Sequence, residues 1–352
     1  MRWRVALVGL AAGAAILPVP PLVIERWYSQ DFYPVIQSFL TAASNLVPFA
    51  LLDILILVVT AAWLILAVAD LARRGWWRAF VATAWRTLVW AAALYVVFLT
   101  AWGFNYRRAP QTERLTFDAA AVTPPALQAL ANLAVVRVNA LHDAAHAAGW
   151  GAADRIDPAL AAAFVRANRE IGGHDVVVGR PKSTALDWYF RRAAVDGMTD
   201  PFLLETLVAD GALPFERPFI VAHEWSHLAG IADEGEANFL GWIACLHGPP
   251  QTQYSGWLFL VQQTQAVLPR RERAALRLSL DAGPLEDLTA IASRVARTTS
   301  PRIAAAGWKV YDGYLKANRV PAGAASYSEV LRLSLGVNFG PDWMPLRRAS
   351  SL

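Results

Sequence analysis

The chain has 352 residues, of which 56% are hydrophobic and 17% charged, against about 45–50% apolar and about 25% charged in an ordinary soluble domain. This excess places part of the chain in lipid, and the length leaves room for one globular domain beside a membrane unit. A net charge of +4, with no basic patch interleaved with aromatics, argues against a nucleic-acid partner, and the lone Cys245 excludes an intrachain disulfide or a cysteine-rich metal site.

The first apolar run, Val5 to Ile24, follows Arg2 and Arg4 and is long enough to span a hydrocarbon core. A cleaved signal peptide is the competing reading. The length of the run, the crowding of Pro18, Pro20 and Pro21 at its end and the spans that follow favour retention. A second run, Leu46 to Ala69, is interrupted by Asp53, and a third extends from Leu88 to about Phe104. Trp63, Trp76, Trp77, Trp85, Trp90 and Trp102 lie largely toward the ends of these runs, where headgroups favour amphipathic rings. Arg2 and Arg4 and the cluster from Arg73 to Arg86 mark a cytoplasmic side, and the loop from Glu25 to Asn45, with Arg26 alone, an outer one. Three spans then put everything after Phe104 outside the cytoplasm, although Arg107, Arg108 and Arg114 pull the other way.

From about residue 115 the pattern becomes Ala-rich and Arg-dotted, with helical periodicity and no run long enough to span. Helices are expected at Ala126 to Ala148, from Pro158 through Glu170, at Pro218 to Ala229, Glu234 to Leu246, Tyr254 to Leu268 and Leu285 to Thr298, and around Tyr311 and Val330. The β-branched run Asp175 to Val178 reads as a strand.

The chemistry-bearing block is His223-Glu224-Trp225-Ser226-His227. Residues four apart share a helix face, so the two imidazoles can meet one metal ion, with Glu224 beside it. Zinc on neutral nitrogens, with one position open, makes water acidic enough for a neighbouring carboxylate to deprotonate, and Glu224 is the expected general base and acid. Pro218 suits the first turn of this helix, and Gly230 the left-handed position just past its end. A His-Glu-x-x-His match also arises in unrelated proteins; three acids that follow, Asp233, Glu234 and Glu236, sharpen it by offering a third ligand. Asp233-Glu234-Gly235-Glu236 has the form of a capping box that employs Asp233 and Glu236 structurally. Glu234 is therefore the leading third ligand, with Glu236 and Asp233 as alternatives.

His223 to His227 followed by Asp233-Glu234-Gly235-Glu236-Ala237 resembles the glutamate zincins, whose third ligand occurs in a Glu-Gly-x-Ala or Glu-x-x-Ala-Asp context. Asn238 replaces the aspartate of the second pattern, and six residues separate His227 from Glu234 where those peptidases usually carry a longer insert. Gly230 and Asp233 also meet a pattern similar to a rare metzincin variant, which keeps Asp233 open as a ligand. More widely, the chain resembles the bacterial membrane proteins grouped as domain of unknown function 3810. That resemblance rests on Trp102-Gly103-Phe104-Asn105-Tyr106-Arg107, Arg180-Pro181-Lys182, the His223 to Phe239 block and Tyr314-Leu315-Lys316-Ala317-Asn318. It implies three spans plus a zincin-like domain and carries no substrate with it.

Other candidates have plainer readings. His142-Asp143-Ala144-Ala145-His146 has metal-ligand spacing but reads as the polar face of an Ala-rich helix, since no third ligand is close in sequence. His174 reads as a loop residue, His247 as a cation at a helix end, and Cys245 as core. Tyr311, Tyr314 and Arg319 are candidate oxyanion donors, with core packing the plainer role for the tyrosines. Asp53 suits a proton path or the membrane interface. Arg180 and Lys182 suit either a substrate carboxylate or loop solvation.

The expected architecture is mainly α: three transmembrane helices in residues 1–108, then an extracytoplasmic helical zincin-like domain with a small β element in residues 109–352. The expected function is that of a plasma-membrane zinc metallopeptidase with one Zn²⁺ per chain, His223, His227 and Glu234 as ligands, Glu224 as base, membrane lipid around it and a peptide or protein as substrate. The alternative is a metal-binding membrane protein that serves as a non-catalytic binding or assembly factor.

Overall fold

The computed structural model describes residues 2–318 and 329–348. Helix α1 (Arg2–Ile16) has 15 residues, about 22 Å at 1.5 Å per residue and short of an about 30 Å hydrocarbon core. It stops because Pro18 and Pro20 have no N–H to continue the ladder. The chain resumes as α2 (Pro21–Val23), a π-helical stretch (Ile24–Phe32) and α3 (Tyr33–Asn45), at 115° to α1. The run from Val5 to Ile24 is thus not one straight helix, and the segment from Glu25 to Asn45, expected as a loop, is helical. Helices α4 (Leu51–Arg73) and α5 (Trp76–Ala101) are each long and apolar enough to cross a membrane; α1 with Pro21–Asn45 adds a third span only as a bent pair. Ile54, Leu57, Val58, Ile65 and Val68 of α4 face outward, as lipid-facing side chains do. Near the loop joining α4 and α5, Asp70 pairs with Arg86 and, at 3.2 Å, with Arg74.

After a 3₁₀ turn (Gly103–Arg107) come α6 (Gln111–Arg114), α7 (Pro124–Ala148), α8 (Pro158–Glu170), β1 (Pro181–Lys182), α9 (Asp187–Ala193), β2 (Gly197–Thr199) and β3 (Thr206–Val208). Helices α10 (Arg217–Leu228), α11 (Glu234–Leu246), α12 (Pro250–Val267), α13 (Arg270–Leu278), α14 (Ala282–Thr298), α15 (Pro301–Ala317) and α16 (Glu329–Gly336) complete the chain. The expected helices are present within a few residues of their bounds; α6, α9 and α13 were not anticipated. The sheet has the order β1-β3-β2, with β1 parallel and β2 antiparallel to β3. Asp175 to Val178 is not a strand. It runs irregularly past α3, where Gln37 Oε1 accepts from Val177 N–H (3.1 Å), and Gln37 Nε2 and Asn45 Nδ2 donate to the carbonyls of Val177 (2.7 Å) and Val178 (2.9 Å). Side chains of a helix replace the ladder that a β-branched run would otherwise seek.

Helix α11 is apolar on all sides, with Ala237, Phe239, Leu240, Trp242, Ile243, Ala244 and Cys245 buried, because α8, α10, α12 and α16 surround it. The amino-terminal segment belongs to the same core: Ile24, Tyr28 and Tyr33 cluster with Phe98, Leu99, Trp102 and the α10 and α11 side chains. Its buried stripe of Tyr33, Gln37, Thr41 and Ser44 recurs at helical spacing.

Two polar knots fasten the start of α4. Lys182, fully buried, donates to Ser44 O (2.8 Å), Ser44 Oγ (2.9 Å) and Glu205 Oε1 (2.5 Å), while Glu205 Oε2 accepts from Leu52 N–H (2.8 Å). Asp53 accepts from Thr184 Oγ1 (2.7 Å) and Ala185 N–H (2.8 Å). Asp53 thus acts as an anchor between α4 and the Thr184–Ala185 turn, and Lys182, with no exposed side-chain surface, neither grips substrate nor solvates a loop. Arg180 is tied to Asp154 Oδ2 at 2.9 Å. Breaking a buried pair strands a charge, so Glu205→Ala is expected to cost about 3–5 kcal/mol, and Lys182→Met/Glu205→Leu to recover most of it. Denaturation of the purified protein in detergent measures both, and a Glu205→Ala loss below 1 kcal/mol would show that the pair is not an anchor.

Candidate metal centre

Helix α10 carries both histidines. Pro218 sits in its first turn, and Gly230, just past its end, has φ +77°, the left-handed conformation expected there. The last carbonyls of α10 have no donors within the helix; Gly230 N–H and Ile231 N–H reach back to His227 O (2.9 Å) and Ser226 O (3.1 Å), and side chains from the amino-terminal third add further donors. Trp102 Nε1 donates to His227 O (2.9 Å), Tyr33 OH to Leu228 O (2.8 Å) and Arg108 to Ala229 O (3.3 Å) and Gly230 O (2.9 Å). A Cβ on Gly230 would meet Tyr33, Asn105 and Arg108 at 3.0 Å, so crowding and backbone conformation both call for glycine.

Asp233 caps α11, accepting from Gly235 N–H (2.9 Å) and Glu236 N–H (3.0 Å), and this turn aims Glu234 at α10. The capping box is only half formed: Glu236 does not reach back to the cap but accepts from Gln111 N–H at 2.6 Å. Burial pushes the Glu236 carboxyl up to about 7, and Asp233 adds to the rise. Asp233 and Glu236 are thus both occupied elsewhere, and Glu234 reaches the histidines.

His223 Nε2, His227 Nε2 and Glu234 Oε2 form a triangle with sides of 3.2, 3.3 and 3.6 Å. An ion bonded tetrahedrally at about 2.0–2.1 Å holds its ligand atoms about 3.3–3.4 Å apart, so the triangle has the dimensions of one face of such a site. Two further observations fit a metal. His227 Nδ1–H donates to Ile231 O at 2.7 Å, leaving the Nε2 lone pair for the centre, and Glu234 Oε2 is buried without a hydrogen bond. Tyr311 OH donates a short hydrogen bond to Glu234 Oε1 and so orients the ligand oxygen. Burial lowers the pKa of His227, but the adjacent Glu234 carboxylate outweighs it and lifts the group to about 9; the same histidines hold Glu234 well below the usual carboxylate range despite its burial. Glu224 goes the other way. Burial raises it against the pull of His223 and His227, and Thr199 Oγ1 donates to its Oε2 at 2.9 Å. Gly197 of β2 lies so close that a Cβ there would stand 2.6 Å from Glu224 Oε1.

The remaining candidates separate. Tyr314 packs on Tyr106 with ring centroids 5.8 Å apart, and Arg319 lies outside the described residues. His174 packs edge-on against Tyr33, largely out of water, and this burial, followed by the charge of Arg108, pushes its pKa down to about 4. Burial, followed by Arg166, also lowers His247, so the cation at the end of α11 is Arg166, which donates to His247 O at 3.3 Å. His142 and His146 acquire a third partner, Asp287, from α14. Thr199, Gly197 and Gly241 carry no local sign of a site; only the folded chain brings them to it.

Among the described residues these features define a mainly helical protein with two, or counting the bent pair three, candidate membrane helices, a small three-stranded sheet and a largely buried His-His-Glu cluster. The chain belongs to the family described as Protein of unknown function (DUF3810), whose sequence model matches residues 28–335. No curated protein and no solved structure matches it.

A Cβ on Gly241 would stand 3.0 Å from His223 N and 3.1 Å from His223 Cα. Backbone cannot yield as a flexible side chain would, so Gly241→Val should push α11 off α10 and carry Glu234 with it. If the cluster holds a metal ion, its affinity is expected to fall about 10–100-fold, as when other supports of metal ligands are lost. Isothermal titration measures it, and an unchanged affinity would mean that this contact does not set the position of Glu234.

Proposed function

We propose that this chain is a membrane-anchored zinc metallopeptidase with a zincin-like domain, one Zn²⁺ at this centre on His223, His227 and Glu234, and Glu224 as general base and acid. The observation that carries the reading is the triangle of 3.2, 3.3 and 3.6 Å, completed by a carboxylate beside it. When bound, zinc supplies a Lewis acid that polarises a carbonyl and brings the pKa of water to about 7. Glu224 accepts the proton of the attacking water and returns it to the leaving amine. Its raised pKa, set by burial, brings it nearer the pH at which it must both take and give that proton, and Thr199 keeps its carboxylate turned to one side.

Strand β2 offers a place for the substrate. It is an edge of the sheet, and Met198 pairs with Leu207 while Asp196 O accepts from Ala209 N–H and Asp200 N–H donates to Glu205 O. By the alternation of an antiparallel ladder, Gly197 and Thr199 direct their backbone groups away from β3, where an extended peptide can add as a further strand beside Glu224.

The test is zinc content and hydrolysis of a mixed peptide library by purified variants. Glu224→Gln should keep zinc and lose about 10²–10⁴-fold in activity, whereas Glu234→Gln should lose both. Asp233→Ala should keep zinc at a cost of about 0.5–2 kcal/mol in stability. Full zinc in both His223→Ala and His227→Ala would refute the site, and zinc without any Glu224-dependent hydrolysis would leave a binding or assembly factor.

The same reading places the centre outside the cytoplasm. Arg107, Arg108 and Arg114, which weigh against that side in a simple count, are engaged within the fold: Arg107 with Ala14 O (2.8 Å), Arg108 and Arg114 with Glu25 at 2.8 and 2.7 Å. The cluster from Arg73 to Arg86 then governs orientation. A reporter active only outside the cytoplasm should be active when fused after residue 120 and silent at Gly75; the reverse pattern would put the centre in the cytoplasm.

A further inference from the structure

Across the core from His223, α7 and α14 bring together a second set of ligand atoms. His142 and His146 stand one turn apart on α7 with ring centroids 4.3 Å apart. Asp287 of α14 points its Oδ2 between them, 2.9 Å from His146 Nε2 and 3.9 Å from His142 Nε2. These distances straddle the about 3.3–3.4 Å that a tetrahedral ion imposes on its ligand atoms, and all three atoms lie within 4.8 Å of one another.

The surroundings fit an ion better than a simple hydrogen-bonded clasp. His142 Nδ1–H donates to Asp143 Oδ1 at 2.9 Å, which leaves Nε2 as the lone-pair nitrogen facing Asp287 and gives the carboxylate–imidazole pairing that outer groups lend to metal ligands. Tyr254 OH donates to Asp287 Oδ2 at 2.6 Å and fixes the carboxylate. Helix α14 has glycine where it meets the ring: a Cβ on Gly283 would stand 2.3 Å from His142 Cε1. Asp287 is buried while His142 and His146 are partly open, so water can complete the coordination.

We propose that His142, His146 and Asp287 bind a second transition-metal ion of the zinc class, distinct from the His223 centre. Two imidazoles and one carboxylate suit zinc, cobalt or nickel and disfavour magnesium or calcium. The ion takes the place of the hydrogen bond between His146 Nε2 and Asp287, and the neutral ring then carries its one N–H on Nδ1. Its role is to pin α14 to α7. Two turns beyond Asp287, on the same face of α14, Arg294 pairs with Asp196 (2.9 Å), just before β2, and with Glu216 (2.7 Å), the cap of α10. An ion at this position therefore steadies, through α14, the strand and the helix that carry the first centre.

The experiment is titration of metal-free, full-length protein in detergent micelles with Co²⁺, followed by visible absorbance, bound metal and melting temperature. Wild type should take two equivalents, and His142→Gln/His146→Gln and Glu234→Gln one each. Co²⁺ should still raise the melting temperature of Glu234→Gln but not of the triple variant that combines all three changes. A wild type that takes one equivalent, retained in His142→Gln/His146→Gln and lost in Glu234→Gln, would overturn this proposal and leave the His223 centre standing. One equivalent lost in His142→Gln/His146→Gln and kept in Glu234→Gln would uphold it and remove the other. Should the double variant fail to fold, Glu234→Gln decides alone, because no Co²⁺ bound to it overturns the second site.

Discussion

The carbonyls at the end of α10 are the constraint on which the rest of the structure turns. A helix that ends inside a protein leaves acceptors that must be paired or lose about 1–3 kcal/mol each. Here Gly230 N–H and Ile231 N–H supply part of the need, and the other donors come from far away in sequence: Trp102 at the end of a candidate membrane helix, Tyr33 on the amino-terminal bent segment and Arg108 just after the 3₁₀ turn. Because His227 lies in that last turn, the groups that satisfy the backbone also settle where its imidazole stands. The signature Trp102 to Arg107 thus has a physical role, since Trp102 ties the end of α5 to the helix end that carries His227.

Burial organises the charges as well. Glu224 and Glu234 sit in one buried pocket, yet their carboxyls move in opposite directions: Glu224 up through desolvation, Glu234 down because two imidazoles face it. Environments that push two acids apart suit one to proton transfer and the other to holding a cation. Elsewhere buried charge serves attachment. Lys182 and Glu205 join the α3–α4 turn to the sheet, and the Glu25 carboxylate gathers Arg108 and Arg114 beneath the end of α10.

Helices α10 and α11 were legible because their signals are local. Proline in the first turn, glycine past the end and Asp233 at the cap each act within a few residues, and the i, i+4 spacing of the histidines is a property of any α-helix. The amino-terminal region was misread for the opposite reason. Tyr33, Gln37, Thr41 and Ser44 look like a polar, span-free loop unless their partners are known, and those partners lie more than a hundred residues away at Val177, Leu204, Glu205 and Leu228. The strand expected at Asp175 to Val178 failed likewise, since β propensity reports a fit to a pleated surface and here the neighbour is a helix.

By itself, the sequence determined the apolar excess, the long apolar helices α4 and α5, the His-Glu-x-x-His helix with its caps and the set of acids from which Glu234 joins the two histidines. These follow from composition and from interactions between residues a turn apart. Tertiary structure alone decided that Glu234 reaches the histidines while Glu236 turns to Gln111, that Thr199 and Tyr311 join the centre, and that Asp287 meets His142 and His146. Each of those choices depends on which helices pack together, and packing is set by the whole buried surface, which no local spacing encodes.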